Sequence, residues 1–304
     1  MTTPDFSDFQ QKLAKTATDI EADMKDILTF TPPPGIGWPD QLFEAMQYST
    51  LNGGKRVRPF LLVESARLVG AEGAGVRRAA VAMECIHSYS LVHDDLPAMD
   101  DDDLRRGKPT THKKWDEATA ILAGDGLLTQ AFAILASPKT HEDPKIRIDL
   151  VDVLSNAAGP VGMVGGQMLD IAAEHKETSD QEVRTLQAMK TGALLRSSME
   201  MGAVIAGASD EDRKRLTEFG AVIGLTFQLA DDLLDATADS ETMGKATGKD
   251  AEQGKATLVS IHGIEKVREL LGIEVAKAEA LLEPYGEKAE TLKDAARFIA
   301  HRAH

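Results

Sequence analysis

Apolar residues recur at three- and four-residue spacing through most of this chain, and no apolar/polar alternation runs long enough to make a convincing strand. Such a pattern can bury its apolar stripes only by packing helix on helix. Aromatic residues are only 5% of the 304 residues, while alanine, leucine, glutamate and lysine abound, so local preference agrees with the periodicity. The expected fold class is all-α. The length exceeds the modal domain but is still within reach of one large helical domain over 1–304, with 1–30 as a less diagnostic N-terminal helix.

Breakers divide the pattern. A first helix is expected through about residue 29, closed by the stiff run Thr31-Pro32-Pro33-Pro34-Gly35-Ile36-Gly37. Further helices are expected at about 39–51, 57–69, 74–96, 115–136, 144–171, 180–207, 211–235, 257–282 and 286–302. Ser179 with Glu182 has the form of a capping box, and Ser209 with Asp212 is a weaker version. Three polar, glycine-bearing loops remain: Gly53-Gly54-Lys55-Arg56, Asp100 to Thr111, and Asp239 to Lys255. No repeat or low-complexity tract is visible.

Charge and composition exclude several classes of function. Lys and Arg total 34 against 49 Asp and Glu, a formal charge of -15, which argues against nucleic-acid binding and against a polybasic membrane contact. The single cysteine, Cys85, lies in an apolar run and reads as a buried thiol in a reducing compartment. Met1-Thr2-Thr3-Pro4-Asp5 carries no signal-peptide pattern, and no run reaches the roughly 18 apolar residues of a membrane span, so a soluble cytoplasmic protein is expected.

Against this apolar background stand two aspartate clusters: Asp94, Asp95 and Asp100, and Asp231, Asp232 and Asp235. Carboxylates a few ångströms apart repel by about 3 kcal/mol per pair at an effective dielectric near 20, so clusters in apolar helices call for a cation. A hard divalent ion with oxygen ligands, Mg²⁺ above all, is the natural one. Asp231 and Asp235 share a helix face with Gln228 and small Gly224, and Asp232 sits about 100° round. Asp94 and Asp100 are separated by about 240° of ideal helix, so they can share an ion only if the helix ends or distorts near Pro97. Taken alone, Asp100-Asp101-Asp102-Asp103 reads better as a solvated patch.

The neighbouring cations suggest what an acidic site would hold. Arg105 and Arg106 follow the first cluster, Lys245 and Lys255 follow the second, and Lys55, Arg56 and Arg58 occupy the glycine loop. Arginine forks, ammonium groups and Mg²⁺ together match a diphosphate. Gly53-Gly54-Lys55 lacks the spacing and the Ser/Thr of a nucleotide P-loop, which argues against an ordinary ATPase.

From about Gln47 to the C-terminus the chain resembles the trans-isoprenyl diphosphate synthases, most closely the bacterial farnesyl diphosphate synthases. The landmarks are Gly53-Gly54-Lys55-Arg56-Val57-Arg58-Pro59, then Asp94-Asp95-Leu96-Pro97-Ala98-Met99-Asp100 with Arg105-Arg106-Gly107. They continue with Lys190-Thr191-Gly192, Phe227-Gln228 leading to Asp231-Asp232-Leu233-Leu234-Asp235, and the Lys245 and Asp250 to Lys255 segment. The resemblance implies one large helical bundle of the isoprenoid synthase type with its active-site cavity between helices, a homodimer, and Mg²⁺, three ions with bound diphosphate, Mn²⁺ being the open alternative. It implies that Asp94, Asp100 and Asp231 ligate the metal, with Asp95 and Asp235 close by. Arg105, Lys190, Lys245 and Lys255 would bind the allylic diphosphate, and Lys55 of the Gly54 loop, Arg58, His87 and Arg106 that of isopentenyl diphosphate.

The chemistry so implied is ionisation of dimethylallyl or geranyl diphosphate, attack by isopentenyl diphosphate, and proton loss to the departing diphosphate. The Lys190 carbonyl, the Thr191 hydroxyl and the Gln228 amide suit an allylic cation as dipoles without a nucleophile. Tyr89 lies five residues before Asp94, about 7.5 Å along a helix, where a ring would floor the product pocket. With the Pro97-Ala98 insertion, this resembles the farnesyl (C15) type. A geranylgeranyl (C20) diphosphate synthase is the runner-up, and a non-catalytic synthase-like subunit the rival from another class. A terpene cyclase lacks support from the second motif, and His93-Asp94 alone makes a poor metal-dependent phosphohydrolase.

Overall fold

The computed structural model describes residues 5–31, 37–174, 176, 178–241 and 257–301. In chain order, α1 (Ser7–Ile27), α2 (Asp40–Thr50), α3 (Val57–Leu68) and α4 (Ala74–Asp94) precede a short hairpin of β1 (Leu104–Arg105) and β2 (Lys108–Pro109). There follow α5 (Thr111–Lys114), α6 (Glu117–Ala136), α7 (Pro144–Ala158), α8 (Met163–Ala173) and α9 (Asp180–Gln187). A π turn, Ala188–Gly192, joins α9 to α10 (Ala193–Ile205). The remainder is α11 (Asp210–Glu241), α12 (Leu258–His262), α13 (Ile264–Leu282), a 3-10 segment Glu283–Ala289 and α14 (Glu290–His301).

Burial explains the arrangement. Along α4 the run Val76, Ala79 to Ile86, Ser88 and Tyr89 is buried on every side, so this helix sits inside the bundle rather than on its surface. One apolar cluster gathers α4, α6 and α7, and a second gathers α11, α13 and α14 with α1 and α3. Helix α10 packs against α3, α7 and α11 and so bridges them. Each fully buried large side chain, such as Phe60, Phe219 or Ile86, contributes roughly 1.5–3 kcal/mol of transfer free energy. By length and hydropathy α6 alone among the described helices could cross a membrane, yet it lies packed along α4.

Three expected helices are interrupted, each for a local reason. The 144–171 pattern breaks at Gly159-Pro160, where proline removes a backbone donor and pushes its predecessor out of the helical region. The 257–282 pattern breaks at Gly263, with φ of 80°. The 180–207 pattern is interrupted at Ala188–Gly192, where the helix unwinds into the wider π turn. The 211–235 helix runs on to Glu241. The capping box at Ser179 is present, with Glu182 N donating to Ser179 Oγ and Ser179 N to Glu182 Oε2 at 2.8 Å. Asp212 N likewise donates to Ser209 Oγ at 3.1 Å.

Candidate active site

Helix α4 ends at Asp94, and the chain turns back on itself immediately afterwards. Asp100 N donates to the Asp94 carbonyl at 2.8 Å and Asp101 N to that of Leu96 at 3.2 Å. Pro97 lies at the exposed tip of this turn. The break in winding that Asp94 and Asp100 require is therefore present. Burial, Asp100 and Asp95 push the Asp94 carboxyl up to about 6, against the pull of Lys190.

Asp95 faces the other way. Its carboxylate, nearly buried, accepts from Arg105 Nε at 2.7 Å. The hairpin that carries Arg105 turns through Arg106 and Gly107, both at positive φ, and folds Arg106 onto the glycine loop. Arg106 Nη1 donates to the Gly53 carbonyl. A Cβ on Gly54 would lie 2.5 Å from that guanidinium, at a φ of 127°, so the second glycine makes room for the arginine.

Beneath this contact the cations crowd together. Arg56 is buried and its two Nη groups donate to Glu84 at 2.6 Å, Glu21 at 3.0 Å and the Thr50 carbonyl at 2.6 Å, while its Nε is buried without a hydrogen-bond partner. Arg58 Nη1 lies 3.4 Å from His87 Nε2, and since arginine only donates, Nε2 accepts. Burial, then Arg58, Arg106, Arg56 and Arg105, push His87 well below its ordinary value, so the ring is neutral at pH 7. Arg58 Nε is buried without a hydrogen-bond partner. A buried donor among mutually repelling guanidiniums fits an anion. Lys55 is exposed at the rim of the same loop.

Across the site, α8 seats on the π turn. A Cβ on Gly166 would fall 2.2 Å from Lys190 N, so only glycine allows this approach. The turn presents Lys190, whose Nζ pairs with the nearly buried Asp170 at 2.6 Å. A cavity of about 180 Å³ is lined by Asp170, Gln187, Lys190, Thr191, Gln228 and Asp232. A larger groove of about 720 Å³ shares only Gln187 and Gln228 with it and holds none of the aspartates. Size does not mark the chemical site here.

The second cluster divides as helix geometry requires. Burial lowers the pKa of Arg58, and Asp231 with Glu84 pulls against that shift, while Asp235 is exposed. Asp232 turns inward, accepting from Leu258 N at 2.8 Å and Gln187 Nε2 at 3.2 Å. Burial pushes its carboxyl up to about 6 against these bonds. It ties α11 to the start of α12 rather than facing the first cluster.

The donor set suits a hard divalent cation. Asp94 and Asp100 are brought together by the turn, Asp231 stands on α11 near Arg58, and all offer only carboxylate oxygen. Concentrated, partly desolvated negative charge at Asp94 is what such an ion relieves. Among the described residues the one group of three with ligand-type atoms within 4.8 Å of one another is Asp101, Asp103 and His112, where Lys113 Nζ already stands 2.8 Å from Asp103.

Asp170, Glu84 and the inward turn of Asp232 escaped the sequence reading. Pairing partners far apart in sequence leave no spacing signal; only the glycines at 162, 165 and 166 hinted at a close helix approach. Lys245, Lys255 and the Pro32 to Ile36 breaker lie outside the described residues.

A family profile described as polyprenyl synthetase matches residues 39–299. The chain is 42% identical, over 88% of its length and 90% of the relative's, to a farnesyl diphosphate synthase of Geobacillus stearothermophilus. It is 44% identical, over 87% of its length and 73% of the relative's, to the heterodimeric geranylgeranyl pyrophosphate synthase large subunit 1, chloroplastic, of Arabidopsis thaliana. The apo structure of an FPP/GFPP synthase from Zymomonas mobilis matches with a TM-score of 0.86 at 40% identity, covering 96% of this chain and 99% of that one.

Proposed function

This chain belongs to the polyprenyl synthetase family, and on that premise we propose that it is a prenyltransferase making (2E,6E)-farnesyl diphosphate. Isopentenyl diphosphate is joined head to tail to dimethylallyl and then geranyl diphosphate. The observation that carries this assignment is the fold-back at Pro97, which returns Asp100 to Asp94 at the end of α4, within electrostatic reach of Lys190 and Arg105.

In this reading Asp94, Asp100 and Asp231 would hold Mg²⁺, with Asp95 and Asp235 as closer-range helpers. Bound there, the metal would supply Lewis-acid stabilisation of the diphosphate leaving group. Arg105 and Lys190, with Lys245 and Lys255, hold the allylic diphosphate, while Lys55, Arg58, His87 and Arg106 hold that of isopentenyl diphosphate. Asp95 and Asp170 orient Arg105 and Lys190 by the ion pairs described above. Neutral His87 offers a dipole rather than a charge, which keeps two anions close without an added proton. The Lys190 carbonyl, the Thr191 hydroxyl and the Gln228 amide face the developing allylic cation as preorganised dipoles. The proton lost at the end leaves with the diphosphate. Mn²⁺ is the open alternative to Mg²⁺, and residues 1–304 are taken as one domain.

The test is incubation of the purified protein with dimethylallyl and radiolabelled isopentenyl diphosphates, with and without Mg²⁺, followed by sizing of the dephosphorylated products. C15 alcohol formed only with Mg²⁺ is expected. A C20 product would favour the geranylgeranyl reading, which the Arabidopsis relative keeps open; no condensation would favour a non-catalytic subunit.

We also read the protein as a cytoplasmic homodimer. Ile121 and Leu122 on α6, and Val164, Met168, Leu169 and Ile171 on α8, are exposed although apolar, and a second copy would cover them. Cys85, buried with its thiol pushed up to about 12, is compatible with a reducing compartment. Sedimentation should give a dimer that Leu122→Glu dissociates; a monodisperse wild-type monomer would remove the dimer from the account.

A further inference from the structure

His93 sits between the first aspartate cluster and Tyr89, in a notch on α6. The notch exists because position 124 is glycine: a Cβ there would lie 2.1 Å from His93 Nε2, 2.5 Å from Cδ2 and 2.8 Å from Cε1. Within it, Nε2 lies 3.1 Å from the Ile121 carbonyl. A carbonyl only accepts, so the proton resides on Nε2 and the ring is fixed in tautomer and direction. Four residues earlier on the same face of α4 stands Tyr89, and the two rings meet edge to face, with centroids 5.8 Å apart and planes at 77°. Tyr89 is only 5% exposed. Its ring is thus backed by a second ring that is itself pinned to the neighbouring helix.

We propose that Gly124 and His93 form a strut that holds the Tyr89 ring across the product pocket, making His93 a positioning residue for product length and Gly124 the notch it requires. The inference rests on Tyr89 being the pocket floor. A ring in an i, i+4 contact can give way by changing rotamer unless something stands behind it. With His93 seated, Tyr89 cannot turn toward α6, and a growing chain meets a fixed wall. Without it, the wall yields to chains one prenyl unit longer.

The experiment compares product lengths of the wild type, Tyr89→Ala, His93→Ala, His93→Gln, Gly124→Ala and the double variant Tyr89→Ala/His93→Ala. His93→Gln keeps an amide donor for the Ile121 carbonyl and loses the ring. The ratio of products longer than C15 to C15 should rise about fivefold in His93→Ala, His93→Gln and Gly124→Ala, the size expected when a rotamer preference is lost. The double variant should match Tyr89→Ala, because a strut has no effect once its load is gone. Lengthening by Tyr89→Ala with unchanged C15 output from all three strut variants would overturn the strut and leave the floor intact. Unchanged C15 output from Tyr89→Ala would overturn the floor and the strut with it. Additive lengthening in the double variant would overturn the strut as well, by showing that His93 acts on its own. His93→Ala introduces no bulk, so a failure of Gly124→Ala to fold does not decide the outcome. Product ratios are independent of any general loss of turnover from disturbing neighbouring Asp94.

Discussion

Asp94→Asn is expected to lower turnover about a thousandfold at saturating Mg²⁺, the equivalent of roughly 4 kcal/mol of transition-state stabilisation. Asparagine keeps the volume and one oxygen but removes the charge, at the position where the Pro97 turn brings two carboxylates together. Steady-state turnover with radiolabelled isopentenyl diphosphate measures the loss; wild-type turnover would remove Asp94 from the metal set. The same residue has a pH signature. Its folded pKa is raised to about 6 from an ordinary value near 3.8, so the folded state holds its proton more tightly than the unfolded one. The stabilisation from that proton is complete below about pH 3.8 and is lost as pH rises through about 6. Metal-free wild type should therefore lose stability relative to Asp94→Asn across that window, and Mg²⁺ at pH 7 should restore it. Thermal unfolding of both proteins at pH 4.5 and 7 tests the sign.

Tyr89→Ala should move most of the product from C15 to C20 or longer. The ring is buried one and a half turns below Asp94, and no other aromatic side chain on α4 could take over as a wall. Truncating a buried aromatic to alanine costs about 3–5 kcal/mol of stability, so the assay belongs well below the unfolding temperature. Sizing the dephosphorylated alcohols checks the shift. C15 output unchanged from wild type would place the floor elsewhere.

Much of this site was legible beforehand because it obeys local rules. The common helix face of Asp231 and Asp235 follows from four-residue spacing on α11, and the need for a break near Pro97 follows from the six-residue spacing of Asp94 and Asp100. What was not legible depends on partners distant in the chain. Asp95 serves Arg105, Asp232 serves Leu258, and Lys190 serves Asp170. A run of aspartates gives no sign of which carboxylates face an ion and which hold the scaffold, since that depends on where neighbouring helices put their donors.

By itself the sequence determined the helical class, the positions of the charged motifs and the chemistry those side chains can support, because periodicity, proline placement and side-chain type act over a few residues. The tertiary structure alone decided the π turn at Ala188–Gly192, the seating of α8 on it at Gly166, the contact of Arg106 with Gly54 and the wedge of His93 against Gly124. The last three join segments far apart in the chain through contacts that one added carbon would crowd. Close packing between helices is fixed by shapes that meet only once the bundle has formed.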